Sequence, residues 1–172
     1  MKFAMICLAA ALAVGPCFAQ SDDNKVPEPA RYYRVDFVVK ELEAGKVITA
    51  RTYSTTLSSL NRENTSIRTG DKVPVPNGNS NGYSFFDIGV NIDSRVVRAT
   101  DTFLVLSLSA DMSNMVASTT PASGMALPPV VRQNKWTANV VVPLKKATTV
   151  FSSDGASEKR QMQMDVTVTP IL

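Results

Sequence analysis

Residues 68–93 read RTGDKVPVPNGNSNGYSFFDIGVNID, and the alternation in the second half of this stretch decides the fold. Over residues 84–96, Phe86, Ile88, Val90 and Ile92 fall on one face, and Asp87, Gly89, Asn91, Asp93 and Arg95 fall on the other. A period of two with one dry and one wet side marks a half-buried strand of an antiparallel sheet. In the first half, Gly70 tolerates backbone angles that a Cβ forbids, while Pro74 fixes its own and lacks an N–H. A strand over residues 66–75 is expected to be interrupted at Gly70-Asp71, and Gly70 and Pro74 together are expected to turn the chain at a sheet edge. Between the halves, residues 77–82 (NGNSNG) are too polar and glycine-rich to pack. Gly89 leaves a gap on the wet face, where a crossing backbone or a bulky neighbour is expected to approach.

The same period runs outward in both directions. Upstream, Tyr33, Val35, Phe37 and Val39 share one face, residues 43–46 (EAGK) supply a hairpin turn, and residues 47–57 return as a strand rich in β-branched side chains. Downstream, Leu104, Leu106, Leu108, Ala110 and Met112 point inward. Residues 113–128 form a long loop with little pattern, and residues 130–142, 148–152 and 161–169 supply three further strands. Trp136 reads as a core anchor, and Met162 and Met164 as core packing beside Val166 and Val168. No helix is expected outside the N-terminus, and no repeat or later domain boundary is visible. The fold class is therefore all-β: a single domain over residues 31–172 with seven to eight mostly antiparallel strands, arranged as a sandwich or half-open barrel.

The N-terminus sets the compartment. Met1 and Lys2 are followed by the apolar run of residues 3–14, a Gly15-Pro16 break, and small residues ending at Ala19. This is the pattern of a signal peptide over residues 1–19, cleaved between Ala19 and Gln20. A dozen apolar residues fall well short of the roughly 30 Å hydrocarbon core of a bilayer. The rival reading of Cys17 as a lipidated cysteine is disfavoured by the proline before it. Residues 20–30, with two prolines and no periodicity, form a flexible lead-in. Cys7 and Cys17 are the only cysteines, so cleavage leaves a thiol-free domain. A domain of about 150 residues buries enough surface to fold without disulfides.

Eighteen basic side chains stand against 15 acidic ones, a formal net charge of +3. The basic residues are scattered and build no run, so no nucleic-acid footprint is visible. The chain has no histidine, which together with the missing thiols removes the commonest general base, zinc ligands and thiol nucleophile. Asp87 and Asp93 share a strand face, but six residues of strand set them roughly 20 Å apart, beyond joint coordination or glycosidase spacing. No catalytic residue, metal site or cofactor is expected. Asn64-Thr65-Ser66 matches a glycosylation sequon, a short and common pattern.

The order of residues 70–75 (GDKVPV), a variable loop and residues 86–92 (FDIGVNI) resembles the β-domain of bacterial secretins, in which a G-x-x-x-P segment precedes an aromatic-x-x-G-hydrophobic strand. Residues 104–113 resemble the next secretin strand. Residues 129–140 resemble the proline-led strand that follows, with Pro129, Arg132 and Thr137 at its motif positions beside Gly70, Pro74, Phe86 and Gly89 upstream. The match covers about half of the chain, residues 67–151, and the closing glycines of the family are replaced by residues 143–146 (PLKK). Secretins are multimeric outer-membrane channels with periplasmic modules ahead of the β-domain, and no such modules are expected here.

The resemblance implies a stand-alone, truncated secretin-like domain. Its function is then that of an exported, non-catalytic protein of the periplasm or cell envelope, with a binding or assembly role related to secretion or pilus machinery. The implied partners are envelope proteins, with self-association through strand edges. Membrane association is not required. The alternative is a small eight-stranded outer-membrane β-barrel, for which 7% aromatic residues are few to build two girdles.

Overall fold

The computed structural model describes residues 29–60, 64–76, 82–116, 130–154 and 160–171. Eight antiparallel strands follow one another: β1 (Tyr32–Glu43), β2 (Lys46–Ser58), β3 (Thr65–Pro76), β4 (Tyr83–Ala99), β5 (Phe103–Val116), β6 (Val130–Pro143), β7 (Thr148–Asp154) and β8 (Arg160–Ile171). They form two four-stranded sheets, in the orders β2-β1-β8-β7 and β3-β4-β5-β6. The sheets face each other and do not close into one barrel. The eight strands of the barrel alternative are present, but their pairing leaves four edges where a barrel has none.

Local chemistry explains the connections. β1 turns into β2 through Ala44 and Gly45, both with positive φ (49° and 79°). Two such residues make the tight turn whose twist matches a hairpin. β4 turns into β5 around Thr100, whose hydroxyl accepts the Phe103 N–H at 3.0 Å. After β6 the chain switches sheets: the Leu144 N–H bonds the Thr102 carbonyl in the β4–β5 connection, and the Lys145 N–H bonds the Val168 carbonyl of the other sheet at 2.7 Å.

The alternation read from sequence builds the core. Val35, Phe37, Met164, Val166 and Val168 of one sheet meet Ile92, Leu104, Leu106, Leu108, Ala110 and Met112 of the other, all at most 1% exposed. Each large aliphatic side chain so buried contributes about 1.5–3 kcal/mol over leaving it in water. The central strands β1, β8, β4 and β5 carry most of this interior.

Three expectations are corrected. Gly70 and Pro74 do not break or turn the chain: β3 runs unbroken from Thr65 to Pro76, hydrogen-bonded to β4 throughout. The sheet edge was rightly expected, since β3 is an outermost strand. There the missing N–H groups of Pro74 and Pro76 can lie on the unpaired side. Phe86 does not join the core and is 48% exposed: it lies on the part of β4 beyond its pairing with β5, and burial on β4 begins at Val90. Residues 113–116 are strand, not loop; the rest of that expected loop, 117–128, lies outside the described residues.

Candidate assembly surface

β3 and β4 stay paired from Thr65↔Ser94 to Pro76↔Tyr83, yet β4 meets β5 only from Val90↔Met112 onward. Beyond that point β5 continues with β6 alone, from Ser113↔Gln133 to Val116↔Val130. One end of the sheet thus forks into two two-stranded ribbons. At the fork the Gly89 N–H donates to the Ser113 hydroxyl at 3.0 Å. Gly89 faces Gly70 across the strand pair. A Cβ on Gly89 would stand 2.1 Å from the Thr69 carbonyl oxygen, and one on Gly70 would stand 2.3 Å from that of Ile88. The gap expected at Gly89 is therefore filled by the backbone of β3.

The first ribbon holds Tyr83, Phe85 and Phe86 in solvent, and the second holds Met115, Val130 and Val131. Apolar side chains grouped at the ends of two projecting ribbons suit contact with another macromolecule. The edges add a second mode of contact. β7 is short and carries a register shift between Thr149 and Phe151, and β3 carries its prolines; both features discourage strand addition. β6 pairs with β5 over 14 residues without a register shift. The half of β2 from Lys46 to Thr52 is exposed on both faces. These two edges are the least protected.

The outward faces are polar and internally paired. Arg68 holds Asp93 with two hydrogen bonds of 2.8 and 2.9 Å. The Ser66 hydroxyl donates to the same carboxylate. The Ser66 bond and the Arg68 guanidinium together outweigh partial burial and hold the Asp93 carboxyl below the usual carboxylate range. At Asp165 burial pushes the carboxyl up, but bonds from Lys40, Gln163 and Thr149 win and hold it below that range too. Asp87, well exposed, lies 3.8 Å from Lys72. Asp87 and Asp93 thus serve separate ion pairs. Among the described residues no group of three acidic, cysteine or histidine side chains could hold a metal ion.

The structure separates the expected motif residues. Gly70 and Gly89 meet across β3 and β4, Pro74 lies further along β3, and Phe86 is on the ribbon. Thr137 is exposed on β6, 3.0 Å from the Ser109 hydroxyl. Arg132 is half-buried on the inward side of β6. Pro129, Ala19 and Gln20 lie outside the described residues. The sequence reading missed the fork and the polar residues that continue the inward faces past the core: Glu41, Asn114, Asn134 and Arg160. Counting the period of two beyond Val39, Met112, Trp136 and Met162 finds them.

The structure has two open four-stranded sheets, one of them forked at one end. The chain is similar to a chain of the Klebsiella pneumoniae type II secretion system outer membrane complex of PulD, PulS and the PulC HR domain, at 10% identity and a TM-score of 0.45 over 83% of this chain and 39% of that one. It is similar to the InvG secretin domain β-barrel of the Salmonella SPI-1 injectisome, at 9% identity and a TM-score of 0.49 over 83% of this chain and 62% of that one. It is also similar to the type II secretion system secretin GspD of E. coli K12, at 11% identity and a TM-score of 0.43 over 83% of this chain and 49% of that one. The chain therefore spans less than two thirds of the length of each. No protein-family model matches the sequence, and no characterised protein matches it in sequence.

Proposed function

We propose that the chain is an exported, non-catalytic component of the cell envelope that works by assembling with other protein chains, in secretion or pilus machinery. One observation carries this reading: two open sheets leave unprotected edges at β2 and β6. An edge strand presents a row of N–H and C=O groups that another strand can complete. The exposed apolar side chains of the two ribbons supply further contact area, and the motif order over residues 67–151 supports a secretin-related role.

The compartment is part of the proposal. Cleavage after Ala19 delivers a thiol-free domain to the periplasm or envelope, and mass spectrometry of the exported protein is expected to find Gln20 at its N-terminus. The assembly reading is tested by light scattering on the purified protein over a range of concentrations, alone and with envelope extract. Mass increasing with concentration, or a retained envelope protein, supports it. A strict monomer that retains no partner overturns it. Introducing proline at Asn139 in the middle of the β6 edge, and separately at Thr52 on β2, removes an outward N–H from each edge in turn and shows which edge is used.

A further inference from the structure

The ribbon formed by β3 and β4 has an outward face built of matched cross-strand pairs. The register sets Gly70 opposite Gly89, Lys72 opposite Asp87, and Pro74 opposite Phe85. These positions point away from the other sheet, because Val90 and Ile92, which alternate with Gly89 on β4, are buried in the core. Nothing covers them among the described residues. Phe85 is 66% exposed, and Pro74 is exposed opposite it. Lys72 and Asp87 lie 3.8 Å apart with side chains 74% and 79% exposed. A loose pair between solvated ends contributes little within one chain, so little is lost when it is shared with another.

Pairs of this kind have a geometric consequence. Two such ribbons can stack outward face to outward face on a two-fold axis that runs along the strands, midway between β3 and β4. Each β3 then lies over β4 of the other copy at the same level. Lys72 of one chain faces Asp87 of the other, Pro74 faces Phe85, and each contact occurs twice. The glycine rows, without side chains, face each other and add no clash. A two-fold axis across the strands would instead set Asp87 on Asp87 and Lys72 on Lys72, with the penalty that like charges carry. The second sheet of each copy packs on the inward side, away from the contact.

We propose that this outward face binds a second copy of the chain, with Lys72 of each copy on Asp87 of the other and Phe85 of each on Pro74 of the other. The occupant is another copy because the charges and the apolar side chains of the face complement themselves under that symmetry. The inference deepens the assembly reading and rests on it, placing a contact on a face and not on the free edges. From Arg68 to Pro76 the ribbon is roughly 27 Å long and about 10 Å wide, well short of the roughly 800 Å² a side of a standard interface. The dimer is therefore weak.

The test is sedimentation equilibrium of the purified protein up to about 1 mM, the range in which so small an interface associates. Mass is expected to rise toward that of a dimer. Lys72→Glu and Asp87→Lys are each expected to weaken self-association about tenfold or more, since each sets like charges face to face twice. An equimolar mixture of the two variants is expected to recover it, because every charge at positions 72 and 87 then faces its opposite in the other variant. The repulsion inside each chain persists in the mixture, so recovery reports the contact between chains. Lys135→Glu, the same change of charge on the outward face of β6, is expected to leave self-association unchanged. Mass that stays at the monomer overturns the proposal, and the assembly reading then stands or falls on whether an envelope protein is retained. Self-association untouched by both reversals also overturns it, while leaving the assembly reading in place through the edges. Weakened variants that do not recover when mixed overturn it as well.

Discussion

Gly70 and Gly89 stand directly opposite each other on β3 and β4, so close that neither position has room for a Cβ. The obstacle on each side is backbone of the partner strand, which cannot swing aside as a flexible side chain would. This pair lies beside the point where β4 parts from β5.

Gly70→Ala and Gly89→Ala are therefore each expected to destabilise the protein by about 1–3 kcal/mol, the usual cost of forcing extra atoms into a packed site. Urea denaturation followed by circular dichroism measures it. Gly45→Ala is the contrast: it has open space around it, and its cost of about 1–2 kcal/mol comes from its left-handed backbone alone.

Trp136 stacks flat on Phe151, ring centroids 5.2 Å apart, and its buried indole N–H has no hydrogen-bond partner among the described residues. Trp136→Ala is expected to cost about 3 kcal/mol through the lost packing. Trp136→Phe keeps a stacked ring and removes the unsatisfied donor, so its cost is expected to stay within about 1 kcal/mol. Thermal unfolding of both variants separates the two effects.

Asp93 and Asp165 give the protein an acid limit. Both carboxyls are held below the usual range in the folded state. Their stabilising contribution is complete above the unfolded value of about 3.9 and is lost as pH falls through the lower folded values. Stability is expected to drop on acidification below about pH 4. Asp165→Asn is expected to flatten that fall while lowering stability at neutral pH, as read from denaturation midpoints across the acid range.

Much of this architecture was legible in the residues, because a period of two with one apolar side leaves a strand few choices. β5 shows it best: all five residues expected to face inward, from Leu104 to Met112, are buried. Gly70 and Pro74 misled because each interrupts many strands. Here Pro74 lies on the expected edge without turning the chain, and Gly70 faces a second glycine through a pairing that a linear sequence does not display. Phe86 kept to the period but is not buried, since it lies past the point where β4 parts from β5, and that point is set by a pairing between strands. The polar ends of the inward faces were missed for the opposite reason: Glu41, Asn114 and Arg160 continue inward series that had been followed only while they stayed apolar.

Amide hydrogen exchange on the purified monomeric protein, resolved residue by residue, tests the central claim that the eight strands form two open sheets with usable edges. Slow exchange throughout the core portions of β1, β4, β5 and β8, with every second amide exchanging fast along β2 and β6, is the predicted result. Uniform protection of all eight strands, as continuous pairing around a closed barrel would give, would contradict it.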